Sequence, residues 1–235
     1  MTTTLLVIQH VDHEGPDELG RLALQRGLQL EVIRPDRGET LPSPSQCPNS
    51  IALVLGGPMS VNERNQEGMT WLRRELEWLV AWHQSCQPVI GICLGAQMLV
   101  NHLGGRVEGR ADGQVEIGWY PLQATQEGRA LMEWPDMVYQ FHREGFSLPH
   151  GATLLASAEA YPNQAFRYGD NAWGIQFHGE LTRAMMQRWI VRGAHRFVLP
   201  GAQQGREHIE GRYVWDPKLR RWLDEFLHLI FESGP

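Results

Sequence analysis

Gly91-Ile92-Cys93-Leu94-Gly95 follows Pro88-Val89-Ile90 and precedes Ala96-Gln97-Met98-Leu99-Val100, so an apolar strand must turn at once into a helix. Glycines on both sides of Cys93 let backbone pass close to the turn, and the side chain at the apex is pushed out over the end of the sheet. The pattern reads as a nucleophile elbow with a thiol at its apex. N–H groups that open the following helix lack intrahelical partners and carry partial positive charge, which favours a thiolate over the thiol. Taken alone, the five residues suit a small buried hydrophobe as well as a nucleophile.

The succession of strand and helix recurs on both sides of this turn. Apolar runs of strand length at 5–9, 28–33, 51–55 and 89–92 alternate with helical patterns at 17–26, 69–84 and 94–102. Such a rhythm implies parallel strands joined through helices, with ligands beyond the carboxyl ends of the strands. Arg34 to Asn49 holds Pro35, Pro42, Pro44 and Pro48 and reads as a surface loop. From Gly104 the pattern changes to short extended segments at 106–108, 115–121, 137–141, 153–157, 164–167 and 173–176. The fold class is therefore α/β: an open, mostly parallel central sheet with helices on both faces and a smaller, partly antiparallel strand layer. Helices resume at 182–192 and 217–231, where Leu219, Trp222, Leu223, Phe226, Leu227 and Ile230 form an amphipathic stripe. The 235 residues suit one domain, 1–235, with a helical extension over about 191–235.

Composition narrows the function classes. Hydrophobic residues make up 42% and charged residues 20%, and no run reaches the roughly 18 uncharged apolar residues of a membrane span. Met1-Thr2-Thr3-Thr4 leads straight into Leu5 without a basic segment or cleavage site, so no signal peptide and a cytoplasmic location are expected. A net charge of -6 without a basic aromatic patch argues against nucleic acid. Cys47, Cys86 and Cys93 are odd in number and lack C-x-x-C spacing, against a disulfide framework or structural zinc. Trp71, Trp78 and Trp82 share a helical face and read as packing.

A thiol nucleophile needs a base, and the base needs an orienting acceptor. Trp173-Gly174-Ile175-Gln176-Phe177-His178-Gly179-Glu180 supplies both, because in extended chain His178 and Glu180 point to one side at a strand's carboxyl end. A His and Glu at this spacing also occur as an ordinary surface pair. Gly56-Gly57-Pro58 forms a third element directly after the strand at 51–55. There Gly57 N–H and Leu94 N–H are placed to donate to an oxyanion, although a plain turn has the same composition.

In this order the chain resembles the class I glutamine amidotransferase family: Gly56-Gly57-Pro58, Gly91-Ile92-Cys93-Leu94-Gly95-Ala96-Gln97, then Gly174-Ile175-Gln176-Phe177-His178-Gly179-Glu180. The match covers most of residues 4–190. The resemblance implies that Cys93 attacks a γ-glutamyl amide carbonyl, His178 shuttles the proton and Glu180 orients it. It further implies oxyanion donors at Gly57 and Leu94, substrate contacts at Gln97 and Gly56, and no cofactor or metal. Gly179 stands where the family usually has Pro, so looser geometry at His178 is expected.

Tyr139-Gln140-Phe141-His142-Arg143-Glu144-Gly145 looks like a segment of stand-alone, GMP-synthase-like members, some of which hydrolyse γ-glutamyl peptides. The resemblance implies that His142 and Glu144 read the charged groups of a γ-glutamyl substrate, with a structural role as the alternative. Gln9-His10-Val11-Asp12-His13-Glu14 ends the first strand and reads as pocket edge or structure, not as a metal site. His208 and Glu210 read as solvated surface. The expected partner is a small γ-glutamyl compound. A separate synthase chain receiving ammonia is the alternative, as is a weakly active binding or regulatory protein. An α/β-hydrolase elbow with Cys for Ser fits less well, because Glu180 follows His178 closely.

Overall fold

The computed structural model describes residues 3–232. Met1 and Thr2, part of the segment read as free of a signal peptide, lie outside them, as do 233–235 at the end of the expected helical extension. The first half alternates as its periodicity requires: β1 (Thr4–Ile8), α1 (Asp17–Gln25), β2 (Gln29–Ile33), β3 (Ser50–Val54), α2 (Thr70–Gln84), β4 (Val89–Ile92) and α3 (Leu94–His102). Short strands then dominate: β5 (Val107–Gly109), β6 (Glu116–Pro121), β7 (Gln123–Ala124), α4 (Gln126–Leu131), β8 (Met137–His142), β9 (Glu144–Phe146), β10 (Thr153–Ser157), β11 (Ala165–Tyr168) and β12 (Ala172–Ile175). The chain closes with α5 (Arg183–Arg192) and α6 (Gly205–Glu232).

Eight strands form the main sheet in the order β2-β1-β3-β4-β12-β11-β10-β7. The first five are mutually parallel, and β11, β10 and β7 continue the sheet antiparallel. β5 with β9, and β6 with β8, make two small antiparallel ribbons. β12 returns beside β4 in register, Ile175 opposite Ile92, although 83 positions separate them in sequence. This pairing delivers the ends of both strands to the same edge.

Both faces of the sheet are covered. Leu5 and Val7 of β1 pack with Leu19 and Leu22 of α1 and with Leu219, Leu223 and Leu227 of α6. Leu6 and Ile8 point the other way, into a second core with Leu72, Leu76 and Leu79 of α2 and Met98 and Leu99 of α3. Continuous apolar strands are the consequence of this double burial, each large aliphatic side chain contributing about 1.5–3 kcal/mol. The predicted tryptophan face of α2 is likewise packing: Trp78 and Trp82 are buried, and their indole N–H groups donate to Pro42 O and Pro88 O at 2.7 and 3.1 Å.

α6 starts twelve residues before the expected helix and runs through Pro217. Gly205, Gly211 and Pro217 look like breakers in sequence, yet tertiary packing holds the segment helical. A Cβ at Gly211 would stand 2.3 Å from Trp119 Cδ1, so the glycine admits the indole, whose N–H donates to His208 O at 2.9 Å. His208 itself is fully buried, contrary to the expected surface position. Its Nδ1 meets Tyr139 Oη at 2.7 Å, because the helix turns this residue inward while Glu210 stays outside in an ion pair with Arg206.

Candidate active site

The elbow is built by exclusion of side chains. A Cβ on Gly95 would lie 2.1 Å from Val54 O, and one on Gly91 would lie 2.5 Å from the Gly95 carbonyl, so α3 reaches the sheet only with glycine at both places. Cys93 between them has φ of 51°, a left-handed conformation that an L residue adopts at a cost of about 1–3 kcal/mol. Its N–H donates to Ile175 O at 2.7 Å, locking the turn to β12.

Three residues beyond that carbonyl, His178 stands in the same cavity as the Cys93 thiol, and Gly56 lies against both side chains. On its other side, His178 Nδ1 lies 2.7 Å from Glu180 Oε1, with both side chains buried. Burial alone would lower the His178 pKa, but the charges and hydrogen bonds of Glu180 and Cys93 outweigh it and push the value up to about 10. The imidazolium is therefore the favoured form beside this thiol. Trp189 of α5 meets the imidazole edge-on, with ring centres 4.6 Å apart.

The chain is held on both sides of Gly179. His178 N–H donates to Tyr139 O at 2.9 Å, and Glu180 O accepts from Glu18 N–H at 3.0 Å, so backbone bonds flank the glycine. A Cβ at 179 would come within 2.9 Å of Trp222 Cζ3, which shows that an indole from α6 fills the space a side chain would use.

The glycine-rich turn closes the opposite side. At Gly56 a Cβ would sit 3.2 Å from His178 Cε1 and 3.5 Å from Cys93 Cβ, so its bare backbone lies against both. Gly57 lines the cavity above Cys93, and Leu94 begins α3, where its N–H has no intrahelical acceptor. The turn is anchored from below by His10, whose Nδ1 donates to Gly56 O and whose Nε2 pairs with Glu75 Oε1, each at 2.8 Å. Burial opposes charge on His10, but Glu75 and Gly56 O raise its pKa overall.

The cavity is about 240 Å³ and contains Cys93 and His178. Phe141 and Trp189 supply apolar wall; His13 and Glu14 come from the loop after β1, and Arg192, His195 and Arg196 from the end of α5 and the turn after it. Glu14 is largely buried, which raises its pKa, Glu180 adding to the effect while His178 opposes it.

Gln97, His142 and Glu144 stand behind this wall rather than on it. Gln97 Nε2 donates to Glu144 O and to Gln176 Oε1 at 2.9 and 3.2 Å. His142 is buried between Glu144 O at 3.0 Å and Glu116 Oε2 at 2.9 Å, and Glu144 Oε1 accepts from Ser60 Oγ at 3.0 Å. Glu116 of β6 and Ser60 of the turn after β3 thus take up His142 Nε2 and Glu144 Oε1. Arg192 and Arg196 carry no motif and are not among the expected site residues; the only signal is three basic side chains within Arg192-Gly193-Ala194-His195-Arg196, at the end of α5 and just beyond it.

Residues 17–193 match the family model for the class I glutamine amidotransferases. A putative glutamine amidotransferase-like protein, YfeJ, from Salmonella typhimurium is 28% identical over 93% of this chain and 96% of its own. A glutamine-hydrolysing GMP synthase from Streptomyces avermitilis is 32% identical over 62% of this chain, a match that spans only 28% of the synthase. Among solved structures, a glutamine amidotransferase from Thermotoga maritima superposes with a TM-score of 0.86 at 30% identity, covering 99% of this chain and all of that one. One from Methylobacillus flagellatus gives 0.89 at 25% identity, covering all of this chain and 96% of that one. The elbow, the glycine turn and the His178 segment all belong to a chain that is a member of the class I glutamine amidotransferase family.

Proposed function

We propose that the protein cleaves a γ-glutamyl amide bond, in glutamine or in a γ-glutamyl peptide or amide, through a γ-glutamyl thioester on Cys93. The observation that carries this reading is the 2.7 Å contact of His178 with Glu180, placed so that His178 also meets a thiol held at an elbow inside a cavity. Cys93 Sγ attacks the γ-carbonyl carbon, and the oxyanion accepts from the N–H groups of Gly57 and Leu94. The imidazolium of His178 gives its proton to the amide nitrogen as the C–N bond breaks and the amine leaves. Water then loses a proton to His178 and attacks the thioester, releasing the γ-carboxylate and restoring the thiolate. Glu180 holds Nδ1 and stabilises the imidazolium throughout. The reading takes residues 1–235 as one cytoplasmic domain needing neither cofactor nor metal.

The test is turnover of glutamine, γ-glutamyl dipeptides and γ-glutamyl amines, with Cys93→Ala as the blank. Loss of turnover in the blank is expected, and full hydrolysis there would exclude Cys93 as nucleophile. A glutamine-like electrophile should add to Cys93, read by intact mass; absence of an adduct favours a binding or regulatory role. Similarity to GMP synthases supports a second reading, in which ammonia from glutamine passes to a synthase chain. High turnover without any partner counts against it.

A further inference from the structure

Opposite charges stand on different walls of the cavity that holds Cys93. Glu14 projects from the loop after β1, while Arg192 approaches from the end of α5 and Arg196 from the turn after it. Arg196 is half-buried, its guanidinium 5.8 Å from the centre of the Phe141 ring, and it feels both Glu14 and Cys93. Burial and the like charge of Arg143 lower its pKa, so an incoming anion would relieve an unfavourable environment. Arg192 and His195 are exposed at the rim. Among the described residues neither Arg192 nor Arg196 pairs with a carboxylate, whereas Arg188, one turn before Arg192, is tied to His13 O at 2.9 Å and Asp17 Oδ2 at 3.8 Å.

A γ-glutamyl group carries one ammonium and one carboxylate. Glu14 and Arg196 match these, and the ammonium would draw the Glu14 carboxyl back toward its ionised form. Arg192, with His195 beside it, is then left over. Ammonia leaving from glutamine gives such a cation nothing to bind, but the amine of an amino acid brings a second carboxylate. Two carboxylates and one ammonium on the ligand then face Arg192, Arg196 and Glu14, whose Oε1 also lies 3.6 Å from His13 Nε2.

We propose that Arg192 and His195 form a subsite for the carboxylate of the leaving amine, so that the preferred substrate is a γ-glutamyl amino acid or peptide rather than glutamine. The inference rests on the γ-glutamyl reading above. Its position at the rim suits a leaving group that must exit to water while the glutamyl part stays on Cys93. A guanidinium hydrogen bond to a carboxylate at such a site corresponds to a preference of about tenfold.

The experiment compares kcat/KM for γ-glutamylglycine and γ-glutamylglycinamide, which differ only in the leaving group's carboxylate, in the wild type, Arg192→Gln and Arg192→Lys. The expected acid-to-amide ratio in the wild type is about tenfold, falling as salt is added. Arg192→Gln brings the ratio close to one, and Arg192→Lys retains part of it. Because the ratio is internal to each protein, loss of active enzyme does not alter it. A wild-type ratio near one, or a ratio untouched in Arg192→Gln, overturns the subsite while leaving γ-glutamyl hydrolysis standing. No Cys93-dependent turnover of either compound or of glutamine overturns both.

Discussion

Glu180→Gln keeps the volume of the side chain and removes its charge. The bond it weakens is the 2.7 Å contact with His178 Nδ1, inside the protein where both groups are buried. Hydrogen bonds to charged groups contribute about 1.5–3 kcal/mol, equivalent to about 1–2 pKa units on the imidazole. His178, held near 10 against the effect of burial, would fall toward its ordinary range. In the proposed mechanism the imidazolium protonates the leaving amine, so kcat/KM should decline as pH rises through the His178 pKa, and this descending limb should move to lower pH by about 1–2 units. Near neutral pH the rate should drop by about 10² to 10⁴, because the amide can also turn its NH₂ toward Nδ1 and hold the wrong tautomer. A pH profile of kcat/KM, followed by release of glutamate, measures both effects. A descending limb at the same pH in wild type and variant would refute the role given to Glu180. Stability follows the same sign: the raised pKa stabilises the fold below pH 6.5 and ceases to do so as pH rises through about 10, so the variant's deficit is largest in acid.

Gly95→Ala forces a Cβ to 2.1 Å from Val54 O, backbone against backbone, and should cost about 3 kcal/mol or more, a Tm fall of roughly 6–12 °C; an unchanged melt would show that α3 can move off the sheet. Gly179→Ala meets Trp222 Cζ3 at 2.9 Å and should cost about 1–3 kcal/mol, while combination with Trp222→Leu should lose less than the sum of the single changes in a urea-denaturation cycle. Strict additivity would separate the glycine from the indole. Glu75→Gln removes the carboxylate that raises the His10 pKa, so its destabilisation should be greater below pH 6.5 than above the raised value; equal losses at both pH values would contradict a charged His10 beneath the glycine turn.

The elbow was legible because its constraints are local: Gly91 and Gly95 flank Cys93 in sequence, and the overlaps they prevent arise within the same strand, turn and helix and with the neighbouring β3. The short segment holding His178 and Glu180 was legible for the same reason, and β12 beside β4 completes what spacing alone leaves open. His142 is the opposite case. Its neighbours in sequence resemble a substrate-reading segment, but its fate depends on Glu116, 26 positions away on β6, whose carboxylate meets the imidazole in the interior. The first twelve residues of α6 failed for a related reason: Gly205, Gly211 and Pro217 look like breakers until Trp119 and Ile190 are seen packed against the glycines. Arg192 and Arg196 look like ordinary basic residues at a helix end, and only the position of α5 beside the cavity distinguishes them.

The contact between Trp222 and Gly179 ties α6 to the residue that separates His178 from Glu180. Cys93 is made early, but Trp222, which stands against Gly179 and Phe177 on either side of His178, is made more than forty residues after it. During synthesis the thiol is therefore made well before α6 can pack against the segment that carries its proposed base. Fraying of that helix should therefore loosen the segment around His178 while β4 and β12 beneath it stay paired.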